Sequence, residues 1–352
     1  MVLKHFRQYC NGIYCRTGVN CFWVIDNSQQ VLSKLSKINY FSTAKHSDSY
    51  DFSTLYTTIP HHSLKYALRS LIQEAFKVKN KTFLLIHGSN KGVWSDLPSA
   101  KHSFTEDRLI TYVEYLIDNI YVSIGNKVYR QCIGIPMGTD CAPLLANLFL
   151  FFYEYRYMKN LIKSNTIIAR RFNNTMRYID DLLVLNNNSF DDAIKNIYPS
   201  ELQLKKTTES PNTLSYLDIL ITIENGKYST AVYDKRDSFH FEIVNFPNMN
   251  SNIPSRPAYG VYISQLVRVG RICSSYKTFC EWHYKLTQKL IKQGFRYTDL
   301  CKAFRKFVKN HTHIFGKYNC SIHRHIEDGI CLPANDAFLG RCVSSHRGSH
   351  GI

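Results

Sequence analysis

Asp180 and Asp181 stand side by side in RYIDDLLVLN, residues 177–186, where most of the other residues are apolar. Desolvating an isolated carboxylate costs more than a domain's net stability, so two of them there need a neutralising partner. Asp51 repeats the anomaly in SYDFSTLY, an otherwise uncharged segment. If the strands that carry them are neighbours, Asp51, Asp180 and Asp181 converge at one end of a sheet. Three carboxylates at close quarters repel, and hard divalent cations with oxygen ligands answer that repulsion. Mg²⁺ or Mn²⁺ suits such a site when phosphates also enter it. Two ions about 3.5–4 Å apart would activate a 3′-hydroxyl and steady a leaving pyrophosphate. The competing explanation is a polar turn of solvated aspartates. A Tyr-x-Asp-Asp string would arise by chance about 0.06 times in a chain of this composition. Its weight comes from the apolar flanks and from Asp51.

The elements that must position these groups follow from periodicity. Residues 49–60 read as a strand, and Pro60 then opens a helix with Leu64, Leu68, Leu71, Ile72 and Ala75 on one face. Residues 87–104 are loop-like, and a helix starts near Thr105 with Leu109, Val113, Leu116, Ile117 and Ile120 inward. A Gly-Asn turn makes a hairpin of residues 121–131. Residues 134–155 run from a glycine-flanked loop into a strongly apolar helix, and 175–187 form a second hairpin with the aspartates at its tip. A short helix around Phe190, Ile194 and Ile197 precedes strand candidates at 202–209, 215–224 and 227–235, the last two joined at Asn225-Gly226. The order implies an α+β fold with an antiparallel sheet.

After a linker at 248–257 the chain changes character. Residues 258–317 read as helical, with Phe279, His283, Leu286 and Leu290 along one stripe and Lys285, Lys289, Lys292 and Arg296 along another. A following helix turns Leu300, Phe304, Phe307 and Val308 inward. This segment holds 12 Lys+Arg against two Asp+Glu, more than half of the chain's net +17. Such an excess calls for a polyanionic partner. The greasiest run, LLANLFLFF at 144–152, is too short to cross a bilayer, so no membrane role is expected. Eleven cysteines without a Cys-x-x-Cys pair fit a reducing, intracellular compartment.

DFSTLY (51–56), GIPMGTDCAPLLANL (134–148), YIDDL (178–182), LQLKK (202–206) and SYLDILI (215–221) follow the order of reverse-transcriptase motifs. Their wording resembles the Penelope-like retroelements, relatives of telomerase reverse transcriptase, over most of residues 40–310. The resemblance implies a right-hand polymerase. Its palm, an antiparallel sheet with helices packed on one face, would span 47–247, and the basic helical thumb 258–317. Residues 1–46 would be a remnant of fingers or connector, and 318–352 a Cys/His-containing tail.

The implied activity is RNA-directed DNA synthesis from dNTPs on an RNA or DNA template with a primer duplex, in the nucleus. Asp51, Asp180 and Asp181 would hold two Mg²⁺ or Mn²⁺ ions, and Tyr56 would be the gate against a ribose 2′-hydroxyl. Gly134, Pro136, Met137 and Gly138 match the loop beside template and nucleotide, although many relatives have Gln where Met137 stands. Lys205 or Lys206 matches the general acid for pyrophosphate, and the Lys285–Arg296 stripe would grip duplex phosphates.

Only 50 residues precede Asp51, so the expectation is a truncated element that lacks most of the fingers and the endonuclease segment, active alone or completed by another chain. The alternative is a remnant that binds nucleic acid without synthesis. A viral RNA-dependent RNA polymerase fits less well, because those more often place glycine before the paired aspartates and lack an aromatic gate. Gly12-Ile13-Tyr14 has no matching YIG and no nuclease-sized domain around it. Cys320, His323, His325 and Cys331 are a candidate zinc cluster whose spacing fits no standard finger.

Overall fold

The computed structural model describes residues 1–87, 91–98, 102–208, 210–241 and 243–318. Cys320, His323, His325 and Cys331 lie outside the described residues. The chain divides into two compact units, Met1–Tyr216 with Asn225–Lys227, and Leu217–Glu224 with the chain from Tyr228 onward. The division thus falls well ahead of residues 248–257.

The first unit is built on a four-stranded antiparallel sheet, in spatial order Thr175–Tyr178, Asp181–Leu185, Ser47–Phe52, Leu204–Lys206. Alternation sends Tyr50, Phe52, Leu182 and Val184 to one face, where they join the buried side chains of the Ala142–Ser164 helix. That helix has core residues nearly all round, among them Phe149, Leu150 and Phe151, as its unbroken apolar run requires. Helix His61–Lys79 packs against it through Leu64, Leu68 and Leu71. Helices on one face of an antiparallel sheet are what the α+β reading expects.

Several segments depart from the sequence reading. The strand from residue 49 ends at Phe52, and Leu55–Thr58 is a helical turn, so Tyr56 leaves the sheet. The 87–104 stretch contributes strands Lys91–Ser95 and Ser103–Phe104 on either side of Phe83–His87. In helix Glu106–Asp118, Ile110 and Ile117 are buried and Leu116 is exposed, a face rotated from the expected one. Residues 1–46 form helices Val2–Thr17 and Ser28–Phe41, and Phe6, Cys10 and Trp23 enter the main core.

The second unit carries strand Ile219–Glu224 and helices Ser255–Ile272, Tyr276–Lys292 and Tyr297–Asn310. Phe279, His283, Leu286 and Leu290 are buried as the stripe predicts, as are Leu300, Phe304, Phe307 and Val308. Among the described residues, no helix is long and apolar enough to cross a membrane.

Candidate active site

Strand register brings the conspicuous carboxylates together. Asp51 lies directly opposite Asp181 on one side and Lys205 on the other, and Tyr178 lies opposite Asp181. Directly opposed residues of an antiparallel pair share a face, so Tyr178, Asp181, Asp51 and Lys205 form one row across the sheet. The next row, Arg177, Leu182, Tyr50 and Lys206, points the other way. Ile179 and Asp180 make the two-residue turn between Tyr178 and Asp181, with Ile179 in a left-handed backbone (φ 54°). A β-branched residue there is strained by on the order of 1–3 kcal/mol.

Asp180 is held above the usual carboxylate range, first by burial and then by the charge of Asp51. Arg177 and the backbone amides of the turn pull the other way. Tyr56 is raised by burial and then by the charge of Asp180. The Tyr216 hydroxyl donates to the Asp181 carbonyl at 3.1 Å.

The loop at 133–138 docks on the segment that carries Tyr56. Ile135 N donates to Tyr56 O at 2.7 Å, Gly134 N to Ile59 O at 2.8 Å, and His61 Nε2 lies 2.8 Å from Gly134 O. Gly134 has φ 81°, and a Cβ on it would collide with Tyr56 O, so only glycine allows this approach. Pro136 is half-buried, and Met137 and Gly138 are exposed beyond it.

The two lysines part company. Lys205 is exposed in the Asp51 row and has no ion-pair partner among the described residues. Lys206 faces away, where its Nζ meets buried Asp48 at 2.7 Å and Asp191 at 3.3 Å. It therefore does not reach the carboxylate face.

The chemistry of the donor set fits hard divalent cations. Two carboxylates are directly opposed across the strands, an arrangement that like charges disfavour, and a third sits on the adjoining turn under the influence of the first. Among the described residues, no three Asp, Glu, His or Cys side chains already stand close enough to close a metal shell.

No protein-family model matches the chain, and no curated protein matches it in sequence. Among solved structures, telomerase from Candida albicans in complex with a TWJ fragment of telomeric RNA is similar at a TM-score of 0.55. That match has 10% identity and covers 94% of this chain. At that identity the likeness is one of fold: the chain folds like that Candida albicans telomerase. Apo telomerase from Candida tropicalis is similar at a TM-score of 0.46 and 12% identity over 97% of the chain. The chain spans 44% to 60% of the length of the Candida telomerase chains it matches.

In the second unit, the predicted basic stripe is largely neutralised. Lys285 pairs with Asp237, and Lys289 lies 3.2 Å from Asp237 and 3.8 Å from Asp234. Arg296 pairs with Asp299 at 2.7 Å, and Lys292 is exposed. Arg305, Lys306 and Lys309 on helix Tyr297–Asn310 are exposed, and none has an ion pair among the described residues. Sequence reasoning missed them because a stripe of lysines says nothing of an acidic turn folded against it. It also missed Arg177 and Glu154, charges inside apolar segments that carry the same signal as Asp51.

Proposed function

We propose that this chain is an RNA-directed DNA polymerase of the Penelope-like retroelement type, transferring nucleotides from dNTPs to a primer 3′-hydroxyl. The observation that carries the reading is the register Asp181–Asp51–Lys205 with Asp180 on the adjoining turn, inside a telomerase-like fold. Asp51, Asp180 and Asp181 would hold two Mg²⁺ or Mn²⁺ ions. Bound there, such ions supply the positive charge that lowers the pKa of the primer hydroxyl and holds the triphosphate.

Tyr56, whose hydroxyl feels the charge of Asp180, excludes a 2′-hydroxyl from the sugar position. The Gly134–Gly138 loop offers backbone at close range to template and incoming base. Lys205, on the carboxylate face, is positioned to protonate the leaving pyrophosphate, a role Lys206 cannot take from the other face. RNA or DNA template with its primer is the polyanion that the basic second unit binds, and nuclear location follows from that substrate.

Primer extension by the purified chain on RNA and DNA templates, with Mg²⁺ or Mn²⁺, is the test. Synthesis is expected to require the cation and to be abolished in Asp51→Asn and Asp180→Asn variants that keep the wild-type circular dichroism spectrum. Unchanged extension by Asp180→Asn would sink the assignment. Duplex binding with no extension under any condition would favour the remnant that binds nucleic acid without synthesis.

A further inference from the structure

Behind the aspartate turn sits a charge that nucleotidyl transfer does not itself require. Arg177 lies opposite Leu182, so its side chain leaves the sheet on the face away from Asp181. It is fully buried, as is Glu154 on the Ala142–Ser164 helix. A guanidinium has five N–H groups, and here each of them finds an acceptor. Nε and Nη2 donate to the two Glu154 oxygens at 2.5 and 3.1 Å. Nη1 reaches Asn147 Oδ1 at 2.8 Å and Ile179 O at 2.7 Å, and Nη2 reaches Asn147 O at 3.2 Å. The Tyr198 hydroxyl completes the set by donating to Glu154 Oε1 at 2.8 Å.

Stability alone explains this arrangement poorly, because replacing a buried ion pair with apolar residues of similar volume is often neutral or stabilising. What apolar residues could not do is donate to Ile179 O. That oxygen belongs to the peptide plane joining Ile179 to Asp180, and Ile179 is the strained residue of the turn. Asn147 and Glu154 lie on the helix that begins at the end of the 134–141 loop.

We propose that Arg177 is a positioning residue for the metal-binding aspartates, clamping the Ile179–Asp180 peptide to the Ala142–Ser164 helix so that Asp180 meets the same ions as Asp51. The inference rests on the reading of Asp51, Asp180 and Asp181 as divalent-ion ligands.

The experiment measures Mn²⁺ binding to the full chain by electron paramagnetic resonance, alongside primer extension and duplex affinity. Arg177→Lys keeps the charge opposite Glu154 but loses the planar fork that reaches Ile179 O as well. Mn²⁺ affinity is expected to weaken about 10-fold and kcat to fall about 100-fold, the scale of a misplacement of about 1 Å. Duplex affinity should stay within about 2-fold, a split that general destabilisation would not give. Should Arg177→Lys not fold, the double variant Arg177→Met/Glu154→Leu removes both charges and is read in the same way. A folded variant with wild-type Mn²⁺ affinity and kcat overturns the proposal, and so does loss of the fold in both variants, which assigns the pair to stability. Wild-type protein with no Mn²⁺ binding sensitive to Asp180→Asn overturns the metal reading, and this inference with it.

Discussion

Adjacent in sequence, Lys205 and Lys206 serve opposite faces of one sheet. Lys205→Ala is expected to lower kcat for extension by about 100-fold or more, the usual worth of a proton donor, with little change in thermal stability. Lys206→Ala should instead cost up to about 1 kcal/mol in chemical denaturation, because half-exposed Lys206 is lost from Asp48 while His46 remains 2.6 Å from it, and should leave kcat nearly intact. Tyr56→Ala should raise ribonucleotide over deoxyribonucleotide incorporation by about 10-fold or more in competition assays. A fixed ratio with lowered stability would make Tyr56 a packing residue. The aspartates were legible in the sequence because a carboxylate in an apolar strand contradicts its surroundings. The parity of Lys205 and Lys206 was not, because it depends on which residue of a three-residue strand faces Asp51. Arg177 and Glu154 were as legible as Asp51, but a buried pair announces itself only when both partners are seen to meet.

Helices in the second unit were readable because their apolar residues recur every three or four positions, and Phe279, His283, Leu286 and Leu290 are all buried. Their charged faces were not readable in the same way. Asp234 and Asp237 lie in and beside the short helical turn Lys235–Ser238, some 50 residues before the lysines they neutralise. Duplex binding should therefore depend more on Arg305, Lys306 and Lys309. Replacing those three with Gln is expected to flatten log affinity against log salt by about 0.9 for each phosphate no longer neutralised. Replacing Lys285 and Lys289 should move the slope much less, because their charges are already balanced. Equal effects from the two sets would show that the acidic turn yields its lysines to the duplex. The strands between Phe83 and Phe104 were hidden for another reason: a stretch rich in Gly, Ser and Asn pairs through its backbone while its composition reads as loop.

At the scale of the whole molecule, acid stability has a named contributor. His283 is buried against Phe304, with ring centroids 4.4 Å apart, and its Nε2 is 2.7 Å from the Tyr262 hydroxyl. Burial lowers its pKa to about 4 from an ordinary 6.5. Unfolding exposes an imidazole that binds a proton below pH 6.5, whereas the folded protein binds none there until about pH 4. The unfolded state thus holds more protons in that window, and stability is full above pH 6.5 and lost as pH falls. The loss is on the order of 3 kcal/mol by pH 4. Denaturant titrations across this range should show the slope, and His283→Gln should reduce it. A net charge of +17 adds self-repulsion in the same direction as further groups protonate.

The close seating of Gly134 on Tyr56 has a consequence for anyone redesigning this protein. Tyr56, Ile59 and His61 each hold the loop through its main chain, and the approach leaves no room for a methyl group. The group that would judge the sugar and the loop that would judge the template base therefore shift as one piece. A library selected for acceptance of modified sugars would carry altered copying fidelity with it. Gains from changes at Tyr56 and in the Gly134 loop would combine far from additively, so the two traits would have to be evolved together.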